Sequence, residues 1–184
     1  MEVKEAVEKR RAYRSLVEVE ISKETIESLA ESARLFCSCF NNQPWRYVFV
    51  QDKGVLAKMH EALSPGNEWA RAASLIIAVF SKPELDCLIK ERKYYLFDTG
   101  MATAAMILRA TELGLVAHPI AGFSPKKTRE ILNIPEDMEV IALVIVGKRS
   151  DSISPALSEK QVAAEKERPE RIPLAEFAYR DRYR

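Results

Sequence analysis

The chain has 184 residues, of which 47% are hydrophobic and 30% charged, values that are typical of one soluble globular domain. Its formal net charge of +1 excludes a global attraction to nucleic acid or to an anionic membrane, so any anion site must be local. Residues 1–10 lack the apolar core of a signal peptide and residues 140–146 are too short to span a bilayer, so we expect a cytoplasmic protein.

The first half of the chain predicts two helices and two strands. Ser22 is the N-cap of a helix that we expect to end near Cys37. Pro44 marks the start of a strand, because proline cannot donate to a ladder. Residues 55–63 suggest a short helix, and residues 75–80 a strand buried on both faces. In the first strand, period 2 places Trp45, Tyr47 and Phe49 on one side, and Val48 and Val50 on the other.

The second half predicts a long helix over residues 94–113, followed by Gly114 where a left-handed residue is needed. Ser124 begins a further helix that reaches Leu132, and residues 139–147 are another buried strand. This alternation predicts an α+β sandwich with helices on both faces of a central sheet.

The tail over residues 150–184 is too polar to form a core of its own. Its scattered apolar side chains, such as Leu174 and Phe177, therefore need a surface to cover, and a second subunit is one source of it. We expect a single domain over residues 1–184, in which residues 150–184 form an extension that wraps the partner.

Arginines are concentrated at residues 10–14, where the sequence is Arg-Arg-Ala-Tyr-Arg. Arg10 and Arg14 are four residues apart and would share one face on a first, N-terminal helix that ends here. Guanidinium groups bind phosphate in a bidentate fork, so the pair is a candidate phosphate site. The alternative is that the charges merely complement the negative end of the first helix.

Two further segments accompany this cluster, Asn41-Asn42-Gln43-Pro44-Trp45 and Pro119-Ile120-Ala121-Gly122-Phe123. Together the three segments resemble landmarks of the nitroreductase family of flavoproteins, over nearly the full length of the chain. The resemblance implies a mainly antiparallel sheet in an α/β/α sandwich, and a homodimer that binds FMN at its interface.

The resemblance also implies that NAD(P)H reduces the flavin, which then reduces a small acceptor such as a nitroaromatic or a quinone by a ping-pong scheme. The same fold leaves reductive dehalogenation, flavin fragmentation and a non-catalytic flavin carrier open as alternatives. The physiological acceptor and the choice between NADH and NADPH are not encoded in a recognisable motif.

By position, the resemblance implies that Arg10 contacts the phosphate, that Arg11 and Ala12 lie at the adjacent ribityl and phosphate positions, and that Arg14 lies beside the N1–C2 edge of the flavin. Ala12 stands where the family commonly has serine, which removes one hydroxyl ligand. Arg14 would stabilise the negative charge that reduction places at that edge. The other implied contacts are Cys37, Ser38, Cys39 and Asn41 from the second subunit, Asn67 at the pyrimidine edge, the backbone of Pro119, Ala121 and Gly122 at N5 and O4, and Arg171 at the phosphate.

Three other residues have open roles. Arg71 lies near the position of a lysine that is common in the family and absent here, and Arg168 is a second candidate for the phosphate. His118 lies just before the Pro119 segment, where a structural role is the favoured interpretation.

The cysteines Cys37, Cys39 and Cys87 are odd in number and resemble neither a disulfide framework nor a four-ligand zinc site, so we expect reduced thiols and no metal. Redox activity and binding of a soft metal remain possible roles for Cys37 and Cys39. Small buried residues are the favoured interpretation, since free cysteine is among the most buried residue types.

Overall fold

The computed structural model describes residues 1–183, and within them the chain forms an α/β/α sandwich around a five-stranded antiparallel sheet. This architecture confirms the predicted fold class. The helices are α1 (Val3–Lys9), α2 (Lys23–Arg34), α3 (Lys53–Met59), α4 (Tyr94–Glu112), α5 (Pro125–Leu132) and α6 (Glu159–Lys166). The strands are β1 (Leu16–Val17), β2 (Arg46–Val50), β3 (Leu75–Ser81), β4 (Leu88–Ile89), β5 (Arg92–Lys93), β6 (Val116–Ile120) and β7 (Glu139–Arg149).

The eleven-residue strand β7 organises the sheet. It pairs with β3 on one side and with β6 on the other, while its last two residues pair with β1. Strand β2 extends the sheet beyond β3, and β4 and β5 form a separate short hairpin. Strand β6 contains Pro119, which is tolerated because β6 has only β7 as a partner within the described residues.

Alternate residues of the strands enter two apolar cores, one on each face of the sheet. Helices α2 and α4 cover one face and helices α3 and α5 the other. The alternation predicted for β2 is confirmed. Trp45, Tyr47 and Phe49 pack in the core under α2 and α4, whereas Val48 and Val50 pack in the opposite core.

Local sequence signals account for most helix ends. The Ser22 hydroxyl accepts a hydrogen bond of 3.2 Å from the backbone of Thr25, which confirms the N-cap of α2. Gly114 follows α4 with φ of 75°, and its neighbour Leu115 donates to the carbonyl of Ala110 at 2.8 Å, as in a Schellman motif. The prediction that α2 ends near Cys37 was wrong by about a turn, because the α-helix ends at Arg34 and Leu35 is its C-cap.

The tail after β7 adds helix α6, which the sequence pattern did not predict. Beyond it, apolar side chains including Ile172, Leu174 and Phe177 remain exposed, as expected for an extension that needs another surface. Within residues 1–183, no helix combines the length and apolar character needed to cross a membrane.

Candidate functional site

The segment over residues 10–14 leaves the helix instead of continuing it. Helix α1 ends at Lys9, and Arg10 has an extended ψ of 120°, so the prediction that Arg10 and Arg14 share a helical face was wrong. The reason lies in α6, where the buried carboxylate of Glu165 accepts the backbone N–H of Arg14 at 2.6 Å and of Ser15 at 3.4 Å. These donors are therefore satisfied without helical hydrogen bonds.

The extended segment and the tail enclose a cavity of about 220 Å³ that is rich in arginine. Its lining residues are Arg10, Arg11, Ala12, Arg14, Ala164, Arg168, Pro169 and Arg171. Burial, together with repulsion from Arg168 and Arg171, lowers the pKa of Arg10. Within the described residues, no carboxylate forms an ion pair with Arg10, Arg14 or Arg171. The cavity therefore combines clustered positive charge with three guanidinium groups that no carboxylate of residues 1–183 neutralises in an ion pair.

Two of these arginines bind backbone carbonyls at the ends of helices, and Arg171 donates from Nη1 to the carbonyl of Pro169 at 3.4 Å. Arg11 donates from Nη2 to the carbonyls of Ala164 at 2.7 Å and Glu165 at 3.3 Å, which lie in the last turn of α6. Arg168 donates to the carbonyl of Glu8 in α1 and to that of Arg10 at 3.0 Å. Both hold helix C-termini, where a cation is stabilising, and they fix the two walls of the cavity to each other.

An aromatic pair connects the arginine cavity to the β6 loop. The rings of Trp69 and His118 stack with centroids 4.7 Å apart, and the Arg14 guanidinium lies 5.9 Å from the centre of the Trp69 ring. His118 is buried, and its Nδ1 lies 3.1 Å from the carbonyl oxygen of Tyr13. Burial, together with the nearby arginines, lowers the pKa of His118 to about 4, so the ring is neutral near pH 7. Its burial and its contact with Tyr13 fit the structural role that the sequence favoured, which stays a prediction.

Asn67 and Gly122 fit closely against each other. Asn67 donates from Nδ2 to the carbonyl of Gly122 at 2.9 Å, and its Oδ1 accepts from Trp69 Nε1 at 3.3 Å. A Cβ on Gly122 would lie 2.3 Å from Asn67 Nδ2, so the position requires glycine for this approach. The neighbouring residues Pro119 and Ala121 are both exposed, so this loop faces solvent.

The segment Cys37–Asn41 lies apart from this cluster, beside the start of α4. Ser38 Oγ accepts from the backbone of Gln43 at 2.9 Å, and Asn41 is exposed. The expectation of reduced, buried cysteines was wrong. Cys37 is free but exposed, and Cys39 forms a disulfide with Cys87 whose Cα atoms are 6.1 Å apart. The structure brings together residues from positions 10–14, 67, 119–122 and 171 around one side of the sheet, but not the 37–41 segment.

Sequence reasoning missed three residues that assemble the site: Trp69, Tyr13 and Glu165. Each acts across a separation of fifty residues or more in at least one contact, as in the bonds between Glu165 and the Arg14 segment. A local pattern carries no signal for such pairings. Arg71 is exposed on the turn after Trp69 and has no hydrogen bond within the described residues that would assign it a role.

The geometry can be compared with known proteins. A family model described as the nitroreductase family matches residues 7–82 and 63–148. The chain belongs to the nitroreductase family. A protein of Archaeoglobus fulgidus, provisionally named an NADH dehydrogenase/NAD(P)H nitroreductase, is 33% identical over 151 residues, covering 77% of this chain and 82% of that protein. The oxygen-insensitive NADPH nitroreductase of Helicobacter pylori is 25% identical over 168 residues, covering 71% of this chain and 79% of that enzyme.

Solved nitroreductase-family structures share the fold. One described as an oxidoreductase containing FMN superposes with a TM-score of 0.85 at 27% identity, over 97% of this chain and 91% of that one. A nitroreductase family protein of Clostridium difficile superposes with a TM-score of 0.80 at 26% identity over the full length of both chains. This nitroreductase-family chain is therefore similar to oxidoreductases, one of which contains FMN.

Proposed function

We propose that the chain is an FMN-dependent NAD(P)H oxidoreductase that works as a cytoplasmic homodimer and passes electrons to a small acceptor such as a nitroaromatic or a quinone. The observation that carries the proposal is the arginine cavity. Arg10, Arg14 and Arg171 converge there, and within residues 1–183 none of their guanidinium groups forms an ion pair with a carboxylate. Clustered guanidinium groups of this kind are stabilised by a bound dianion, and the terminal phosphate of FMN supplies one.

In this proposal Arg10 and Arg171 hold the phosphate, while Arg11 and Arg168 keep the cavity walls in place through α6 and α1. Ala12 lines the same cavity and offers only its backbone, so the phosphate depends on arginine more than on a hydroxyl group. The loss of the serine hydroxyl common in the family is thus offset by charge.

Arg14 has a different role, because its guanidinium lies between the cavity and the face of Trp69. We propose that this fixed cation lies beside the N1–C2 edge of the flavin and favours negative charge there. His118 is neutral near pH 7, so it adds no second positive charge behind Trp69.

FMN, when bound, supplies hydride acceptance and donation at N5. The chain contributes orientation, through the Asn67 amide at the pyrimidine edge and the backbone of Pro119, Ala121 and Gly122 near N5 and O4. The contact between Asn67 and Gly122 keeps these two elements in register. The contacts of Cys39 and Ser38 are with Asp98, Cys87 and Gln43 and not with this cluster. We therefore propose that Cys37, Ser38, Cys39 and Asn41 reach the flavin from the second subunit.

Exposed apolar side chains support the homodimer. Phe97 is 63% exposed on α4 and Phe40 is 86% exposed beside it, and the tail presents Leu174 and Phe177. Large apolar side chains that are exposed close together, aromatic ones above all, are typical of a protein interface. The proposed extension over residues 150–184 would cover part of this surface on the partner.

Anaerobic spectroscopy tests the function. The purified protein should carry FMN, its visible absorbance should bleach on addition of NADH or NADPH, and an added acceptor should restore it. Bound FMN that neither nicotinamide reduces would contradict the enzyme and indicate a carrier. A purified protein that cannot bind FMN at all would contradict the cofactor.

A matched pair of variants connects the assay to the site. Arg14→Gln keeps length and a hydrogen-bond donor but removes the charge, whereas Lys126→Ala removes an exposed cation from α5 on a different surface. The first should slow bleaching by NAD(P)H and the second should not. Equal rates in the two variants would remove Arg14 from the proposed chemistry.

A further inference from the structure

The disulfide between Cys39 and Cys87 lies outside the arginine cavity and is accompanied by two carboxyl groups. Both cysteines are partly buried, and one oxygen of Asp86 lies no more than 4.8 Å from either sulfur. Asp98, in the second turn of α4, is 1% exposed, and its Oδ2 accepts the backbone N–H of Cys39 at 2.6 Å. Both cysteines are thus joined to an acidic side chain through their own backbone or their neighbour.

The carboxyl groups of Asp86 and Asp98 are placed where they could share a proton. Asp86 Oδ1 accepts from the backbone of Cys87 at 2.8 Å and from Asn42 at 3.3 Å, but its Oδ2 is buried and has no donor among the described groups in their ionised forms. Burial first, and then the charge of Asp86 and a hydrogen bond to it, raise the pKa of Asp98. A proton carried by Asp98 would give Asp86 Oδ2 its missing partner.

The disulfide also fastens a strained segment. Phe40, Asn41 and Gln43 have φ values of 47°, 58° and 52°, in the left-handed region that costs about 1 kcal/mol or more for each residue with a side chain. Around them, the contacts that hold the segment include the disulfide, the Cys39–Asp98 hydrogen bond and the bond from Gln43 to Ser38. Opening the disulfide would remove the covalent one.

We propose that Cys39–Cys87 is a redox-active disulfide that exchanges with small dithiols, with Asp98 as the group that holds the proton and Asp86, beside both sulfurs, as the group that passes it to the departing sulfur. The function of this site is separate from the flavin chemistry proposed above. Cleavage of any disulfide by a thiol releases a thiolate. Here a carboxyl group beside the sulfur could supply the proton that neutralises it, which a purely structural crosslink does not need.

The exchange balances without any further reactant. One thiolate of the dithiol attacks a protein sulfur, the Cys39–Cys87 bond breaks, and a mixed disulfide forms. The electron pair of the broken bond goes to the departing sulfur, which takes a proton from Asp86. The second thiolate of the dithiol then attacks the mixed disulfide, the other protein sulfur departs and takes a proton from water, and the reagent leaves as a cyclic disulfide. The two protons that the dithiol released to water on forming its thiolates replace this one and the one given up by the carboxyl pair, so the protein gains two thiols. The protein is reduced by two electrons and the dithiol is oxidised by two.

The rate at which the disulfide is reduced, measured by alkylating and counting the free thiols, tests the proposal. The full-length protein is oxidised with diamide, freed of reagent, and then mixed with reduced dithiothreitol, and alkylated thiols are counted by mass spectrometry over time. The native oxidised protein should show one reactive thiol, Cys37, and the reduced protein all three. Asp86→Asn should slow reduction by at least about a hundredfold, the low end for loss of a positioned proton donor. Asp98→Asn should slow it less, and Asp86→Glu should restore part of the rate.

The controls separate chemistry from folding. Glu84→Gln changes an exposed acid on the same loop and should reduce at the wild-type rate, and in guanidinium chloride all variants should reduce equally fast. Three results would each overturn the proposal: three reactive thiols after oxidation, equal native rates in Asp86→Asn and Glu84→Gln, or a disulfide that opens only when the protein is unfolded. An isolated protein that holds Zn²⁺ on Cys39 and Cys87 in place of the disulfide would overturn it too.

Discussion

Replacing Arg10 by alanine should have opposite effects on two quantities. It should relieve charge repulsion in the apoprotein, and it should weaken the binding of FMN. Burial and repulsion from Arg168 and Arg171 lower the pKa of Arg10, so its charge is disfavoured in the apoprotein. We therefore expect the free energy of unfolding of apo Arg10→Ala to stay within about 0.5 kcal/mol of wild type, or to rise. Arg168 donates to the backbone carbonyl of Arg10, which alanine retains, so the substitution keeps this hydrogen bond.

The same change should weaken FMN substantially. A hydrogen bond to a charged group contributes about 2 kcal/mol, which is a loss of roughly 30-fold in Kd. Arg171→Ala should have an effect of similar size, because Arg171 lines the same cavity. Titration calorimetry with FMN and with riboflavin is the assay, since riboflavin has the same ring and ribityl chain but no phosphate.

Riboflavin should bind poorly to the wild-type protein and be little affected by either substitution. Lys126→Ala, on the exposed side of α5, should leave both affinities unchanged. Equal losses of FMN and riboflavin affinity in Arg10→Ala would show that this arginine supports the fold of the cavity and does not bind phosphate. Unchanged FMN affinity in both arginine variants would refute the assignment of the cavity.

Four other expectations follow from the structure. Removing residues 151–184 should give a soluble monomer without flavin or an insoluble chain, and a truncated protein that stays dimeric and yellow by gel filtration would contradict the proposed extension. Arg14→Gln should lower the flavin midpoint potential by on the order of 30 mV, equivalent to about 1.4 kcal/mol for a two-electron couple, whereas an unchanged potential with FMN still bound would place Arg14 away from the ring. Gly122→Ala should lower thermal stability and FMN affinity because its Cβ would lie 2.3 Å from a side-chain amide nitrogen, while Gly100→Ala, whose Cβ meets nothing within 4 Å, should leave thermal stability unchanged or higher. Finally, burial lowers the pKa of His118 to about 4, so the unfolded chain binds a proton at a higher pH than the folded chain does. The free energy of unfolding should therefore fall by about 3 kcal/mol as the pH drops from about 6.5 to 4. In urea titrations, His118→Gln should lose less stability over that window.

Much of the fold was predictable because its signals are local. Apolar runs gave β3 and most of β7, capping residues gave the starts of α2 and α5, and Gly114 gave the end of α4. The short elements β1, β4 and β5 were not predictable, because two-residue strands depend on the partner and have no period of their own.

The candidate site divides in the same way. Residue types and the family resemblance indicated Arg10, Arg14, Asn67 and Gly122, which the fold brings to one side of the sheet. The extended path of residues 10–14 was not predictable, since it depends on a carboxylate in α6 more than 150 residues later in the chain. The disulfide was missed for a related reason: its two cysteines are 48 residues apart, and spacing alone does not show that they meet.

The contacts of Glu165 with the Arg14 segment have a consequence for biosynthesis. All strands of the central sheet have been synthesised once residue 149 is made. The cavity forms later, because α6 and Arg171 must first pack against the N-terminal segment. During translation, a chain can therefore bury both cores before it has any affinity for an anionic ligand. Ligand binding would then stabilise only polypeptides that have been synthesised beyond residue 171, so retention of the ligand would distinguish finished molecules from interrupted ones.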